Sequence, residues 1–119
     1  MGAETYTISQ LAQEFALTPR TIRHYEDQGL LAPRREGANR LFTGRDRARL
    51  QLALRCSRLG FSLLQIKELF DLYEVRDGRV EDFLAKLRDW REILERRRVD
   101  VDVLLSEIDF FANQSGKRA

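Results

Sequence analysis

The chain has 119 residues, 43% hydrophobic and 34% charged, with a net charge of +2, which suits one ordinary domain or a small domain with a helical extension. No apolar run approaches the roughly 18 residues needed to span a bilayer, and no basic region followed by an apolar block opens the chain, so the expected location is a reducing cytoplasm. One cysteine, Cys56, and one histidine, His24, exclude an internal disulfide and a metal site of paired thiolates, and leave a Ser-His-Asp hydrolase only His24 as its base.

Thr7-Ile8-Ser9-Gln10 reads as a capping box. It opens a short helix whose Ile8, Leu11, Ala12 and Phe15 follow i, i+3, i+4, i+7. Ala16-Leu17 breaks that helix, and Thr18-Pro19 restarts one, with Thr18 as N-cap and Pro19 in the first turn. The second helix is expected to run to Gln28 and stop at Gly29, a natural left-handed position. Two short helices across a tight break form a helix-turn-helix over residues 7–29. Residues 30–42 read as a wing. Leu30, Leu31, Ala32 and Pro33 form an extended run, Glu36-Gly37-Ala38-Asn39 is turn chemistry, and Arg40-Leu41-Phe42 is extended again. Such a two-stranded hairpin must lean on the helices. Thr43-x-x-Asp46 opens a third helix (43–59) closed by Gly60. Ser62-Leu63-Leu64-Gln65 opens a fourth (62–75) with Ile66, Leu69, Phe70 and Tyr73 on one stripe, and Asp77-Gly78 breaks it.

The last element carries the clearest periodicity. Phe83, Leu87, Trp90, Leu94, Arg97, Val101, Leu104, Ile108 and Phe111 alternate steps of four and three, a coiled-coil seam over residues 79–113. Such a helix is roughly 50 Å long at 1.5 Å per residue. Its narrow stripe needs a partner, and self-association is the economical one. Phe83 and Trp90 fit as seam core, or as an aromatic wall for a small effector. Arg97 sets register or pairs with an acid across the dimer. Residues 114–119 read as a polar tail. The expected fold is mainly α: a winged helix-turn-helix domain over 1–76 followed by a long dimerisation helix.

Charge divides the chain. Residues 1–60 carry ten arginines and no lysine against six acids, a net +4, whereas residues 61–119 come to −2. Guanidinium forks suit bidentate contacts to phosphate or guanine; a GC-rich genome would also raise the arginine count, but not its asymmetry. On the second helix Ile22 and Tyr25 face the core, while Arg20, Thr21, Arg23 and His24 fall on or near the opposite face close to the helix N-terminus, beside the cap Thr18. In a helix-turn-helix such side chains reach base edges in the major groove; on an ordinary helix they form a solvated face. Arg34, Arg35 and Arg40 on the wing are placed to grip the phosphate backbone. Arg55 and Arg58 could touch phosphate or complement a helix C-terminal dipole. Arg45, Arg47 and Arg49 read as solvated. Cys56, near Leu52 and Leu59, reads as a small buried hydrophobe.

The stretches Tyr6-Thr-Ile-Ser-Gln-Leu-Ala, Thr18-Pro-Arg-Thr-Ile-Arg-His-Tyr-Glu-Asp-Gln-Gly-Leu-Leu, Asn39-Arg-Leu-Phe and Arg58-Leu-Gly-Phe-Ser-Leu closely resemble the MerR family of bacterial transcription regulators, over residues 6 to about 112. The resemblance implies a homodimer joined by an antiparallel coiled coil, with Arg20, Thr21, Arg23, Tyr25, Arg40 and Arg58 on DNA. Tyr25 would pack its ring inward and reach a phosphate with its hydroxyl. Members bind a pseudo-palindrome, often in a promoter with an overlong spacer, and distort it so that RNA polymerase engages both promoter elements. Metal-sensing members carry cysteines at and after the coil end, where this chain has none. Its compact layout is similar to short members that regulate catabolism of branched-chain amino acids or related acyl compounds, which implies a small organic effector and no metal or cofactor. The competing readings are an architectural DNA-bending factor and a coiled-coil adaptor with an incidental basic face. An enzyme finds no nucleophile–base pair, metal cluster or phosphate loop to build on.

Overall fold

The computed structural model describes residues 4–74 and 80–118, and the expected break at Asp77-Gly78 lies outside them. The chain divides into two units, Met1–Arg76 and Asp77–Ala119.

In the first unit, α1 (Ile8–Phe15) starts on Thr7. The Thr7 hydroxyl accepts from the Gln10 N–H at 3.1 Å, and the Gln10 side chain accepts from the Thr7 N–H at 2.8 Å. Two otherwise orphaned donors are thereby satisfied. Ala16 closes α1 in the left-handed region at φ 55°, and the Leu17 N–H returns to the Ala12 carbonyl. The turn brings α2 (Pro19–Asp27) against α1, with the Thr18 hydroxyl accepting from the Thr21 N–H. At the far end of α2 the Gly29 N–H donates to the Glu26 carbonyl and the Leu30 N–H to the Tyr25 carbonyl. This is a Schellman closure with Gly29 at φ 81°.

That closure corrects the expected wing. Leu30 and Leu31 do not begin a strand; the turn delivers them into the core, and both are buried. The first wing strand is β2 (Arg34–Glu36), paired antiparallel with β3 (Asn39–Thr43). A third strand joins them: β1 (Thr5–Tyr6) pairs with β3, giving the order β1-β3-β2. The wing is therefore rooted in a small sheet rather than standing as a lone hairpin. α3 (Gly44–Arg58) begins with the Thr43/Asp46 capping box. The buried Asp46 carboxylate also accepts the Ala32 N–H at 3.0 Å, which pins the entry of the wing to α3. α4 (Leu63–Glu74) starts on the reciprocal Ser62/Gln65 cap.

The elements meet on Leu11, Ile22, Leu30, Phe42, Leu50 and Ile66, all fully buried; each such side chain stabilises the fold by about 1.5–3 kcal/mol. Three expectations need correction here. α3 turns Leu50 and Ala53 inward, so Leu52 and Leu59 are exposed on another face and Cys56 between them is half-buried. Ile66, Leu69 and Phe70 of α4 are buried, but Tyr73 stands out in solvent. Arg47 and Arg49 are paired rather than free in solvent: Arg47, still partly exposed, grips Glu14 and lies over the Tyr6 and Phe15 rings, and Arg49 pairs with Glu74 over the Phe70 ring, 4.7 Å from its centroid. Arg45, more exposed, joins Glu74 as well.

The second unit is one helix, α5 (Val80–Arg118), of 39 residues and so roughly 58 Å. It continues through residues 114–118, where a polar tail was expected. Trp90 is buried, and Phe83, Leu94 and Arg97 are half-buried. From residue 98 to 117 every side chain is exposed, including Val101, Leu104, Ile108 and Phe111.

The two left-handed helix ends give a paired prediction. Alanine carries a steric penalty at φ 55° that glycine lacks. Ala16→Gly is expected to stabilise the domain by roughly 0.5–1 kcal/mol, and Gly29→Ala to destabilise it by about 1 kcal/mol or slightly more. A new Cβ at Gly29 would also lie 2.8 Å from the Lys67 Cε, so that side-chain tip must shift. Denaturant midpoints measured for both variants check the opposite signs.

Candidate nucleic-acid interface

α2 is built to show one face and hide the other. Ile22 and Tyr25 anchor it in the core, and their spacing turns Arg20, Arg23 and His24 outward, with Thr21 half-buried at the edge. Pro19 and the Thr18 cap fix where the helix begins. Arg20 therefore stands in the first turn of α2, where unsatisfied N–H groups and the helix dipole favour an anion, Arg23 follows three residues on, and His24 lies in the last turn. The Thr18 and Thr21 hydroxyls are 2.9 Å apart and engage each other. Burial raises the Tyr25 phenol above its ordinary value, so it stays protonated and able to donate to an oxygen acceptor. The His24 ring lies tilted against it, 6.5 Å between centroids.

The wing adds Arg34 and Arg35, both exposed on β2, and Arg40 on β3. Glu26, which was not singled out from the sequence, meets two of them. Its Oε1 accepts from the Arg40 Nε at 2.6 Å, and its Oε2 lies 3.5 Å from the Arg35 Nη2. The carboxylate ties α2 to both wing strands. Its only sequence signal was its place one residue after Tyr25 in the helix-turn-helix stretch.

Arg55 and Arg58, in the last turn of α3, line an open groove of about 370 Å³ with Glu14, Phe15, Ala16, Gln51 and Leu54. The described arginines of this unit thus fall into two classes. Arg35, Arg40, Arg45, Arg47 and Arg49 pair with acids. Arg20, Arg23, Arg34, Arg55 and Arg58 are exposed with no acid partner among the described residues. The second class contains four of the six arginines expected on DNA, Arg20, Arg23, Arg34 and Arg58; Arg35 and Arg40 belong to the first. The Cys56 thiol is pushed up by burial, which disfavours the thiolate. The positions expected to form a seam, Phe83, Leu87, Trp90, Leu94, Val101, Leu104, Ile108 and Phe111, all lie on α5.

Comparison with known proteins agrees with this geometry. Residues 6–72 match the family model of the MerR HTH family regulatory protein, and residues 47–109 that of MerR, DNA binding. The chain is 32% identical over 105 residues to the HTH-type transcriptional regulator ZntR of Escherichia coli K12, covering 87% of this chain and 70% of that protein. It is 42% identical over 89 residues to the HTH-type transcriptional regulator CueR of Vibrio cholerae, covering 72% and 64%. The solved structure of HiNmlR, a MerR family regulator lacking the sensor domain and bound to promoter DNA, aligns with a TM-score of 0.79 at 26% identity, covering 90% of this chain and 86% of that one.

Proposed function

The chain belongs to the MerR family of DNA-binding transcription regulators, and on that premise we propose that it acts as a homodimer on a pseudo-palindromic promoter site, distorting the duplex for RNA polymerase in response to a small organic effector. One observation carries the DNA-reading assignment: the outward face of α2, where Arg20, Arg23 and His24 stand exposed above the buried Ile22 and Tyr25. An α-helix fits the major groove, and arginine there reads guanine by a bidentate contact. Arg34, Arg35 and Arg58 supply backbone contacts that position without reading sequence.

The homodimer is supported by α5. Val101, Leu104, Ile108 and Phe111 repeat at coiled-coil spacing and are exposed in the single chain, so an equal helix would cover them. A symmetric pair of readers calls for a symmetric site. An organic effector is favoured over a metal by the state of the chain's one cysteine. Cys56 is half-buried within α3 and is the single cysteine of this sequence, so no second thiolate pairs with it to hold a soft metal.

The test is selection of binding sites from random duplex DNA at ~150 mM salt, with and without candidate acyl-CoA compounds. A pseudo-palindrome with fixed half-site spacing is expected. A folded protein that recovers no motif under either condition overturns the reading in favour of an architectural or adaptor role.

A further inference from the structure

Resting on the DNA-reading function proposed above, we infer that Glu26 is a specificity-determining positioning residue: it locks the wing to the reading helix and restrains two wing arginines from indiscriminate phosphate binding.

The argument begins in the sheet. The β2–β3 register sets Arg35 directly opposite Arg40. Like charges in that relation repel and would splay the hairpin. The remedy comes from α2: Glu26 inserts one carboxylate oxygen toward each arginine, at 2.6 Å to Arg40 and 3.5 Å to Arg35. Exposure divides the two arms. The Glu26 and Arg40 side chains are 19% and 22% exposed, a shielded pair that fixes geometry, whereas Arg35 is 54% exposed and its longer contact is weak. Arg40 is therefore the hinge pin, and Arg35 is the arm that can exchange the carboxylate for a phosphate.

Glu26 stands three residues beyond Arg23 on the same helix. The ion pair thus couples the strands that grip the backbone to the residues that reach the bases. Non-specific binding depends on cationic charge alone. A carboxylate held beside two arginines lowers it, while fixed geometry lets wing and helix engage a matching site together. Glu26 then acts on the ratio of specific to non-specific affinity, in the manner of an element that disfavours wrong partners.

The experiment compares wild type, Glu26→Gln and Glu26→Asp. Each is titrated with the duplex recovered by selection and with a random duplex, over a salt series, with a thermal melt of each protein. For Glu26→Gln the affinity ratio is expected to fall about tenfold, chiefly through tighter random-duplex binding. The log–log salt slope on random duplex should steepen by about one unit. Glu26→Asp keeps the charge but shortens the reach, so its ratio should fall with the slope unchanged, and it serves where the glutamine variant does not fold. A merely structural role would lower both affinities together and leave ratio and slope as in wild type; that result, or unchanged binding throughout, overturns the inference. If wild type itself recovers no motif, the DNA-reading function fails first, independently of Glu26.

Discussion

Glutamate at Leu104 is expected to dissociate the proposed dimer at micromolar concentration and leave the fold of the single chain intact. Leu104 is 56% exposed in the isolated chain, so the substitution removes little packing within it. Across a coiled coil, each of two chains would lose a buried leucine, about 1.5–3 kcal/mol apiece, and each would bring a carboxylate into an apolar seam. The dissociation constant should rise roughly a hundredfold or more. Sedimentation equilibrium with parallel circular dichroism checks this. A variant that remains dimeric at micromolar concentration rules out Leu104 as a seam residue. Loss of the dimer should also remove most affinity for the selected duplex, because the two half-sites would no longer be held by one particle.

Truncating Arg23 to alanine should cost about 1–3 kcal/mol of affinity for the selected duplex, or roughly 5- to 150-fold. Arg23 is exposed and has no acid partner among the described residues, so its removal leaves no buried charge behind. The loss should fall on the selected sequence far more than on random DNA, and discrimination should relax at one position of each half-site. Arg23→Lys restores the charge but not the planar fork, and should recover non-specific affinity ahead of discrimination. Equal affinity of Arg23→Ala and wild type at ~150 mM salt would remove Arg23 from the reading face.

The parts of the fold visible in the sequence were those whose physics is local. Thr7, Thr18, Thr43 and Ser62 each bond a residue three positions on, so the start of every helix in the first unit is written within four residues. Gly29 marks its own turn because its φ is one that side chains resist. Contacts that close over distance were hidden. Two residues, Thr5 and Tyr6, show no alternation to read, and they become a strand only when β3 lies beside them. Arg47 and Arg49 looked solvated because their partners, Glu14 and Glu74, lie 33 and 25 positions away. The same blindness hid Glu26, whose bond to Arg40 spans 14 positions. The outward face of α2 was legible because Ile22 and Tyr25, three apart, fix which side of the helix turns to solvent.

The order β1-β3-β2 leaves β2 as an outer strand made only of Arg34, Arg35 and Glu36. An outer strand carries unpaired amide and carbonyl groups that can template a foreign chain, and short, charged edges resist this. β2 is three residues long and wholly exposed, so another strand docking there would have to strip water from three charged side chains. The arginines that suit this edge to phosphate thus also protect the protein at high concentration. Valine or isoleucine at these positions would trade colloidal solubility for sheet-to-sheet association.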